Sequence, residues 1–339
     1  MRTLSNNTTL KSVIALFMVL MFNQTGLGQN KNLGTAGAQF LKIPVGARAA
    51  ALGGAVTGLS DDATSLFWNP AGITQDHTHS LHVSQIPWMT YFNITAVGYT
   101  INLPRRGTLG FHFRALGMEK MEITTELEPN GTGEFFDSQD IEIGVSYAVK
   151  LIDQFSIGFT SKIVQQRIWN ETATAVALDI GTLYHIHYRN TAIAMSMRNF
   201  GPGLQMSGPD LLVFYDASEE YANRILPANK KTDAYPLPLI FQFGLTSDVI
   251  NSPFFHSTIG LDIVHFNDND EQVLVGLENT VAQHFVIRGG YRTNSDEASA
   301  SLGVGLNQRI DKMVVKLDYA FVMHEHLGDT RFLSLNLMF

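Results

Sequence analysis

From residue 79 to the C-terminus the chain repeats one pattern, in which apolar and polar residues alternate with a period of two. Leu109, Phe111, Phe113 and Ala115 stand against Thr108, Gly110, His112 and Arg114. Ile141, Ile143, Val145, Tyr147 and Val149 stand against Glu142, Gly144, Ser146, Ala148 and Lys150. The same rhythm returns at 155–162, 176–181, 259–263, 273–278, 285–292, 301–307 and 315–319. Successive side chains of a strand point to opposite faces, whereas a helix repeats roughly every 3.6 residues. Alternation sustained over this many segments therefore dictates β structure. The spacing predicts about fourteen strands, over 79–86, 93–103, 107–117, 138–151, 154–166, 174–188, 191–199, 237–248, 254–266, 271–281, 284–293, 298–308, 311–322 and 329–339. Several match the roughly ten residues that carry a tilted strand across a bilayer.

The connections alternate in length. Short turns fall at 104–106, 152–153, 189–190, 251–253, 282–283 and 309–310, and longer connections at 118–137, 167–173, 200–236 and 323–328. Those near 87–92, 267–270 and 294–297 are of moderate length. Short periplasmic turns, longer outer loops and an even strand count are the pattern of an outer-membrane barrel. The last strand makes the same demand. Phe332 to Phe339 puts Leu333, Leu335, Leu337 and Phe339 on one face, with no polar tail. A bare apolar edge invites aggregation, and a closed barrel removes the edge. The final strand is thus expected to close antiparallel onto Ser80–Gln85, with Phe339 as the end signal read by the barrel assembly machinery. The expected fold is all-β: a transmembrane antiparallel barrel of about fourteen strands with a small N-terminal plug containing short helices.

Only one stretch approaches the length of a membrane helix. Arg2 and Lys11 precede ten unbroken apolar residues, Val13 to Phe22, and Gly26 and Gly28 offer a cleavage point before Gln29. Ten apolar residues are too few to span, so 1–28 reads as a signal peptide. Removing Arg2 and Lys11 with it takes the net charge from −8 to −10, an acidic balance that argues against nucleic acid. There is no cysteine, hence neither a lipid-modified cysteine nor disulfides. Charged residues make up 16% of the chain, well below the roughly 25% of soluble domains. Residues 29–78 lack alternation. Ala47 to Gly53 reads as a short helix ended by Gly53-Gly54. Asp61 and Asp62 open a second one, with acidic groups at the positive end of its dipole, and Trp68 to Gly72 stops it. This block is too small for an independent core and suits a barrel lumen. The organisation expected is signal peptide 1–28, plug segment 29–78 and barrel 79–339.

The block Gly34 to Pro44, then Gly46-Ala-Arg48-Ala-Ala-Ala-Leu-Gly53-Gly54, Asp61-Asp62-Ala63 and Phe67-Trp-Asn69-Pro70-Ala71-Gly72 resembles the PorV/PorQ family, a branch of the FadL-like outer-membrane proteins. The Asn-Pro-Ala element is shared with FadL itself. The resemblance implies a fourteen-stranded FadL-like barrel with an N-terminal plug, whose motif residues here are Arg48, Gly53, Gly54, Asp61, Asp62, Asn69, Pro70, Ala71 and Gly72. It further implies a role in type IX protein secretion, as a cargo shuttle or as a partner of the translocon or attachment complex. The FadL branch implies an alternative: transport of hydrophobic small molecules of the fatty-acid class across the outer membrane.

Arg114, Glu142, Lys162, Asp179, Arg198, Asp262, Glu278, Arg288, Arg292, Lys316 and Asp318 all fall on the polar faces of their strands. A lipid-facing Arg or Lys at the midplane costs roughly 2–4 kcal/mol, so this face must line the lumen. Six basic against five acidic residues suit a compensating network better than an ion-selective pore, which shows one dominant sign. His77, His79, His82, His185, His187, His324 and His326 lack the carboxylate or cysteine spacing of a metal site and read as interfacial or loop residues. No phosphate loop, nucleophile elbow or His-Glu-x-x-His occurs, so no cofactor, metal or catalytic residue is assigned. Trp88, Met89, Tyr91 and Phe92 suit an interfacial aromatic belt. The 200–236 connection, with Leu211 to Tyr215 among four prolines, reads as a cap over the barrel mouth or a partner-binding surface. The partners expected are outer-membrane lipid, the assembly machinery, and a secretion component or secreted cargo.

Overall fold

The computed structural model describes residues 32–59, 61–75, 78–89, 91–216, 225–295, 299–326 and 328–339; the expected signal peptide lies outside the described residues. In chain order the strands are β1 (His79–Trp88), β2 (Phe92–Leu103), β3 (Gly107–Met118), β4 (Met121–Glu122), β5 (Phe135–Phe136), β6 (Ser138–Ile152), β7 (Phe155–Ile168), β8 (Glu171–Ile186), β9 (Thr191–Phe200), β10 (Leu212–Asp216), β11 (Ile225–Asn229), β12 (Ile240–Asn251), β13 (Phe255–Phe266), β14 (Gln272–Val281), β15 (Phe285–Arg292), β16 (Ala300–Ile310), β17 (Met313–Met323) and β18 (Thr330–Met338). Fourteen of them, all but β4, β5, β10 and β11, close into one antiparallel barrel. β18 meets β1 with Ser80 opposite Met338 and Gln85 opposite Leu333, the closure that the terminal sequence predicts. Alternation decides which face is which. Phe111 and Phe113 are 46% and 37% exposed on the outer wall, and Arg114 between them and Ala115 is 4% exposed within.

Three features of the wall were not anticipated. The connections at 118–137 and 200–236 carry two-stranded sheets of their own, β4 with β5 and β10 with β11. The expected loop at 167–173 is mostly strand, because β7 and β8 pair as far as Ile168 opposite Glu171. Only Trp169 and Asn170 turn there, with Trp169 at φ 53°. The rim is also lopsided: β6, β7 and β8 have 15, 14 and 16 residues, whereas β15 and β18 have 8 and 9. Tall strands and long connections share one end, here the loop end; tight turns and Phe339 share the other, the turn end.

Within the ring lies the N-terminal segment. Gly34 N donates to Asp268 O at the loop end, and Thr74 Oγ1 lies 2.8 Å from Ser156 Oγ at the turn end. Its helix α1 (Ala47–Ala51) ends at Leu52, followed by Gly53 and Gly54 at φ 63° and 88°, as the glycine pair predicts. Asp62 caps a 3-10 turn, Ala63–Phe67, by accepting from Thr64 N. This turn ends at Phe67 with Trp68 as its C-cap, as the Trp68 to Gly72 stretch predicts, and a further 3-10 turn, Pro70–Gln75, begins within that stretch.

The segment fits because the wall makes room. Nine strands each turn a glycine inward against it: Gly98, Gly110, Gly158, Gly181, Gly244, Gly260, Gly276, Gly290 and Gly303. A Cβ at Gly260 would stand 2.7 Å from Ala55 O, and one at Gly276 would stand 2.9 Å from Leu52 O. Interiors packed to crystal-like density cannot absorb such overlaps without moving backbone.

Candidate functional site

The inward charges meet the N-terminal segment in two ion-pair groups and one hydrogen-bonded set. Arg48 on α1 faces the wall at β14, where its Nε and Nη2 lie 2.8 and 2.9 Å from the two oxygens of Glu278. Its Nη1 bonds Asp61. Glu278 also accepts from Arg288 Nε at 2.6 Å, and Arg288 Nη1 reaches Asp318 Oδ1 at 2.6 Å. Lys316 approaches Asp61 at 3.8 Å. A forked guanidinium on a carboxylate gives two parallel bonds and fixes orientation as well as charge. Burial lowers the pKa of Arg48, but Asp61 and Glu278 outweigh it and hold the guanidinium well above its ordinary value.

The second group lies across the lumen. Arg114 bonds Glu142, which lies 3.0 Å from Lys162 Nζ; Lys162 continues to Asp179 at 2.8 Å. Arg114 Nη1 also donates to the carbonyls of Phe40 and Ile43 at 3.2 and 3.3 Å, so the wall holds the segment through its backbone. A β-bulge shapes this corner. Between β8 and β9 the register slips after Leu178, and Asn199, at φ 65°, is the extra residue. Bulges re-aim side chains, and this one turns both Arg198 and Asn199 inward. Asn199 accepts from Lys162 Nζ at 2.6 Å and donates its backbone N–H to Asp179 at 2.6 Å.

Arg198 and Asp262 form no ion pair with each other and are held by neutral groups. Arg198 donates to Phe67 O at 3.1 Å and Gln242 at 2.8 Å, and stacks 5.1 Å from the Trp68 ring. Asp262 accepts from Thr57 N at 3.0 Å, Thr57 Oγ1 at 2.6 Å and Gln242 Nε2 at 2.8 Å. The Arg292 guanidinium donates to the carbonyl of Gly53, at 3.3 and 3.4 Å. The Asn69-Pro70-Ala71-Gly72 motif has a physical basis: Asn69 Nδ2 donates to Thr57 O and Thr182 O, both at 3.1 Å, tying segment to β8.

Sequence reasoning missed several of these residues. His82 is not an interfacial or loop residue but lies inside β1, buried, with Nδ1 2.7 Å from Asn336 Oδ1. His112 is buried edge-on to Phe67 at 4.9 Å, with Nε2 3.6 Å from Glu142. Both keep the polar register of their strands, beside Ser80 and Arg114, and that signal could have found them. Trp88 does not stand in a lipid-facing belt. It packs edge-on to His324 at 6.0 Å and lines an interior cavity.

Two cavities flank α1. One, of about 280 Å³ toward the loop end, is mainly apolar, with Ile43, Trp88, Val322 and Phe332 beside Lys42 and Arg292. The other, of about 400 Å³ toward the turn end, is polar, lined by Arg48, Asp61, His185, Asp248, His256 and Lys316. The 200–236 connection divides. Leu204 packs with Phe40, Leu41 and Leu237 over the lumen, while β10 and β11 stand clear of the barrel sheet.

The family model described as type IX secretion system protein PorV matches residues 27–210, more than half of the chain. Among solved structures, the Pseudomonas putida toluene transporter TodX superposes with a TM-score of 0.54 at 12% identity, covering 86% of this chain and 96% of that one. The CymD monoaromatic hydrocarbon channel gives 0.53 at 11% identity, over 86% and 96%. A Pseudomonas aeruginosa FadL homologue gives 0.51 at 12% identity, over 88% and 98%. At such identities the likeness is one of fold. No curated protein matches the sequence. With the family matched over its N-terminal half and a FadL-like fourteen-stranded barrel around it, this outer-membrane chain belongs to the family of the type IX secretion system protein PorV.

Proposed function

We propose that the barrel serves type IX secretion without catalysing a reaction, as a cargo shuttle or as a partner of the translocon or attachment complex. In this reading 1–28 exports the chain, 29–78 is a plug, and Phe339 addresses it to the assembly machinery. One observation carries the proposal: the lumen is occupied by a segment bonded to the wall from one end to the other, inside a ring with no unpaired strand. A sealed interior leaves the loop end as the working surface. Crosslinking and affinity capture from native membranes should recover a secretion component or cargo in stable association. Clean capture of the barrel alone, under conditions that preserve other secretion complexes, would exclude the role.

The apolar cavity favours a second reading, transport of hydrophobic small molecules, with Lys42 and Arg292 suited to an acidic head group. Tritiated long-chain fatty acid should then bind the purified barrel and lose affinity in Phe332→Trp, which fills the cavity. No saturable binding would remove this reading.

A further inference from the structure

On the tall side of the rim two arms rise from the same turn. Residues 119–137 form one, held at its base by Arg167 to Asp137 at 2.9 Å and by Trp169 N to Asp137 O at 2.8 Å. Residues 205–216 and 225–235 belong to the other, held by Asn170 Nδ2 to Asp210 at 3.0 Å and by Asp210 N to Glu171 at 2.8 Å. The arms are acidic. The first has six carboxylates against one lysine, and the described residues of the second have three carboxylates against two lysines, together −6 in a chain of −8. Glu119, Glu122, Glu126, Glu128 and Glu134 are exposed, and none is ion-paired among the described residues. The arms are also apolar at exposed points: Leu127 is 94% and Phe214 69% exposed.

The two edges of the β10–β11 sheet are unequal. Lys230 N donates to Leu211 O at 2.8 Å. With Phe214 opposite Pro227 in the register, the bonded pairs are Val213 with Ala228 and Tyr215 with Leu226. The groups of Leu212, Phe214 and Pro227 therefore point away from the partner strand. Pro227 has no N–H to offer, so the outer edge of β11 is blocked. The outer edge of β10 is open at Phe214, whose backbone groups have no partner among the described residues, while Leu212 N donates to Pro209 O. An open edge is a template for an added strand.

We infer that the open edge of β10, anchored at the same turn as the acidic 119–137 arm, takes an extended strand from a partner polypeptide that alternates basic and apolar residues. The inference rests on the loop end being the partner surface, and names what the partner presents there. Charge selects the occupant. A second copy would bring its own −5 arm against this one, and anionic lipid head groups would be repelled in the same way. A strand bearing Lys or Arg on one face and apolar residues on the other meets the glutamates with the first and Leu212 and Phe214 with the second.

The test uses the full barrel in nanodiscs of zwitterionic lipid, with empty nanodiscs as the control. The probe is a fluorescent peptide of about ten residues alternating Lys and Val, long enough to pair with a typical strand. It should bind saturably, and more weakly as salt rises from about 0.05 to 0.5 M. A Glu–Val counterpart, and the Lys–Val peptide N-methylated at alternate residues, should each lose about tenfold. Phe214→Pro removes an outward N–H without breaking the hairpin, and should lose about tenfold where Phe214→Ala loses less than about threefold. The exposed triple variant E122K/E126K/E128K should lose about tenfold. Equal binding of the N-methylated peptide, or by Phe214→Pro and Phe214→Ala, overturns strand addition. Unchanged binding by the triple variant overturns the charge selection. Native-membrane capture keeps the two readings apart. Capture that survives Phe214→Pro and the triple variant leaves the secretion role standing and removes this mechanism. Capture that fails with the unaltered chain removes the role itself.

Discussion

Arg48→Met should release the N-terminal segment without dissolving the barrel. The wild-type guanidinium, with its side chain 10% exposed, makes two bonds to Glu278 and a third to Asp61. Methionine fills similar volume and donates nothing, so Glu278 keeps only Arg288, at 2.6 Å. Removing one partner of a buried pair costs about 3–5 kcal/mol, because the other charge stays behind uncompensated. The polar cavity of about 400 Å³ beside Arg48 lets water reach the vacated carboxylate, which points to the lower end. A loss of about 3 kcal/mol raises the released population by about two powers of ten. Trp68, whose indole donates to Val45 O at 3.1 Å, reports the event. With Trp88 and Trp169 replaced by Phe, acrylamide quenching through a urea titration should show segment release moving to lower urea, ahead of barrel unfolding. Arg48→Lys keeps the charge but not the fork, and should recover only part of the loss. A shift under about 1 kcal/mol for Arg48→Met would show that the pair contributes no more than an exposed one, and would refute the latch.

Three further outcomes follow from the same geometry. Gly260→Val sets a Cβ against Ala55 O and should destabilise the segment by about 1–3 kcal/mol in the same quenching assay, while an outward Gly117→Val, which meets nothing within 4 Å, should be neutral. Asp62 is raised by burial but lowered more by Lys316 and Arg48, ending below its ordinary 3.8. Its contribution is therefore complete above that value and is lost as pH falls through the lowered one, so acid should loosen the wild-type segment more steeply than Asp62→Asn. A parallel slope for both proteins would show that Asp62 gives no such stabilisation. Deletion of Phe339 removes two backbone bonds to His79, at 2.8 and 2.9 Å, and a ring stacked 5.3 Å from the His79 ring. Membrane levels of heat-modifiable barrel should fall, and normal levels would refute its role in assembly.

Strand count and closure were legible because they depend on local alternation alone. Lipid outside and polar groups inside force a period of two, and the unfinished apolar edge at Phe339 names its own partner. What the segment touches was not legible. Gly260, Gly276 and Gly290 read only as neutral members of a polar face, since the backbone they admit lies some two hundred residues away in sequence. The β10–β11 sheet was hidden by Pro227, which speaks against a central strand; it is tolerated because it faces outward on an edge. The inward turn of Arg198 was legible, but the bulge that also brings Asn199 inward was not, since a single added residue leaves no mark on composition.

The two groups of buried charge bear on what the barrel can do. A path from one end to the other must pass α1, where Arg48, Asp61, Glu278, Arg288 and Asp318 form one connected set. The segment is also held by Arg114 through its backbone and by Asn69 through β8. Moving it breaks these together, and costs within one network do not fall singly. The apolar cavity is therefore a recess reached from the loop end, closed beneath by α1, as long as Arg48 holds Glu278. A ligand could bind there and still not cross. By the same rigidity the segment braces β6 to β8 from within, through Arg114, Glu142, Lys162 and Asp179, and it is on these strands that both acidic arms are rooted. Filling the lumen thus does more than close a pore: it stiffens the tallest strands of the wall.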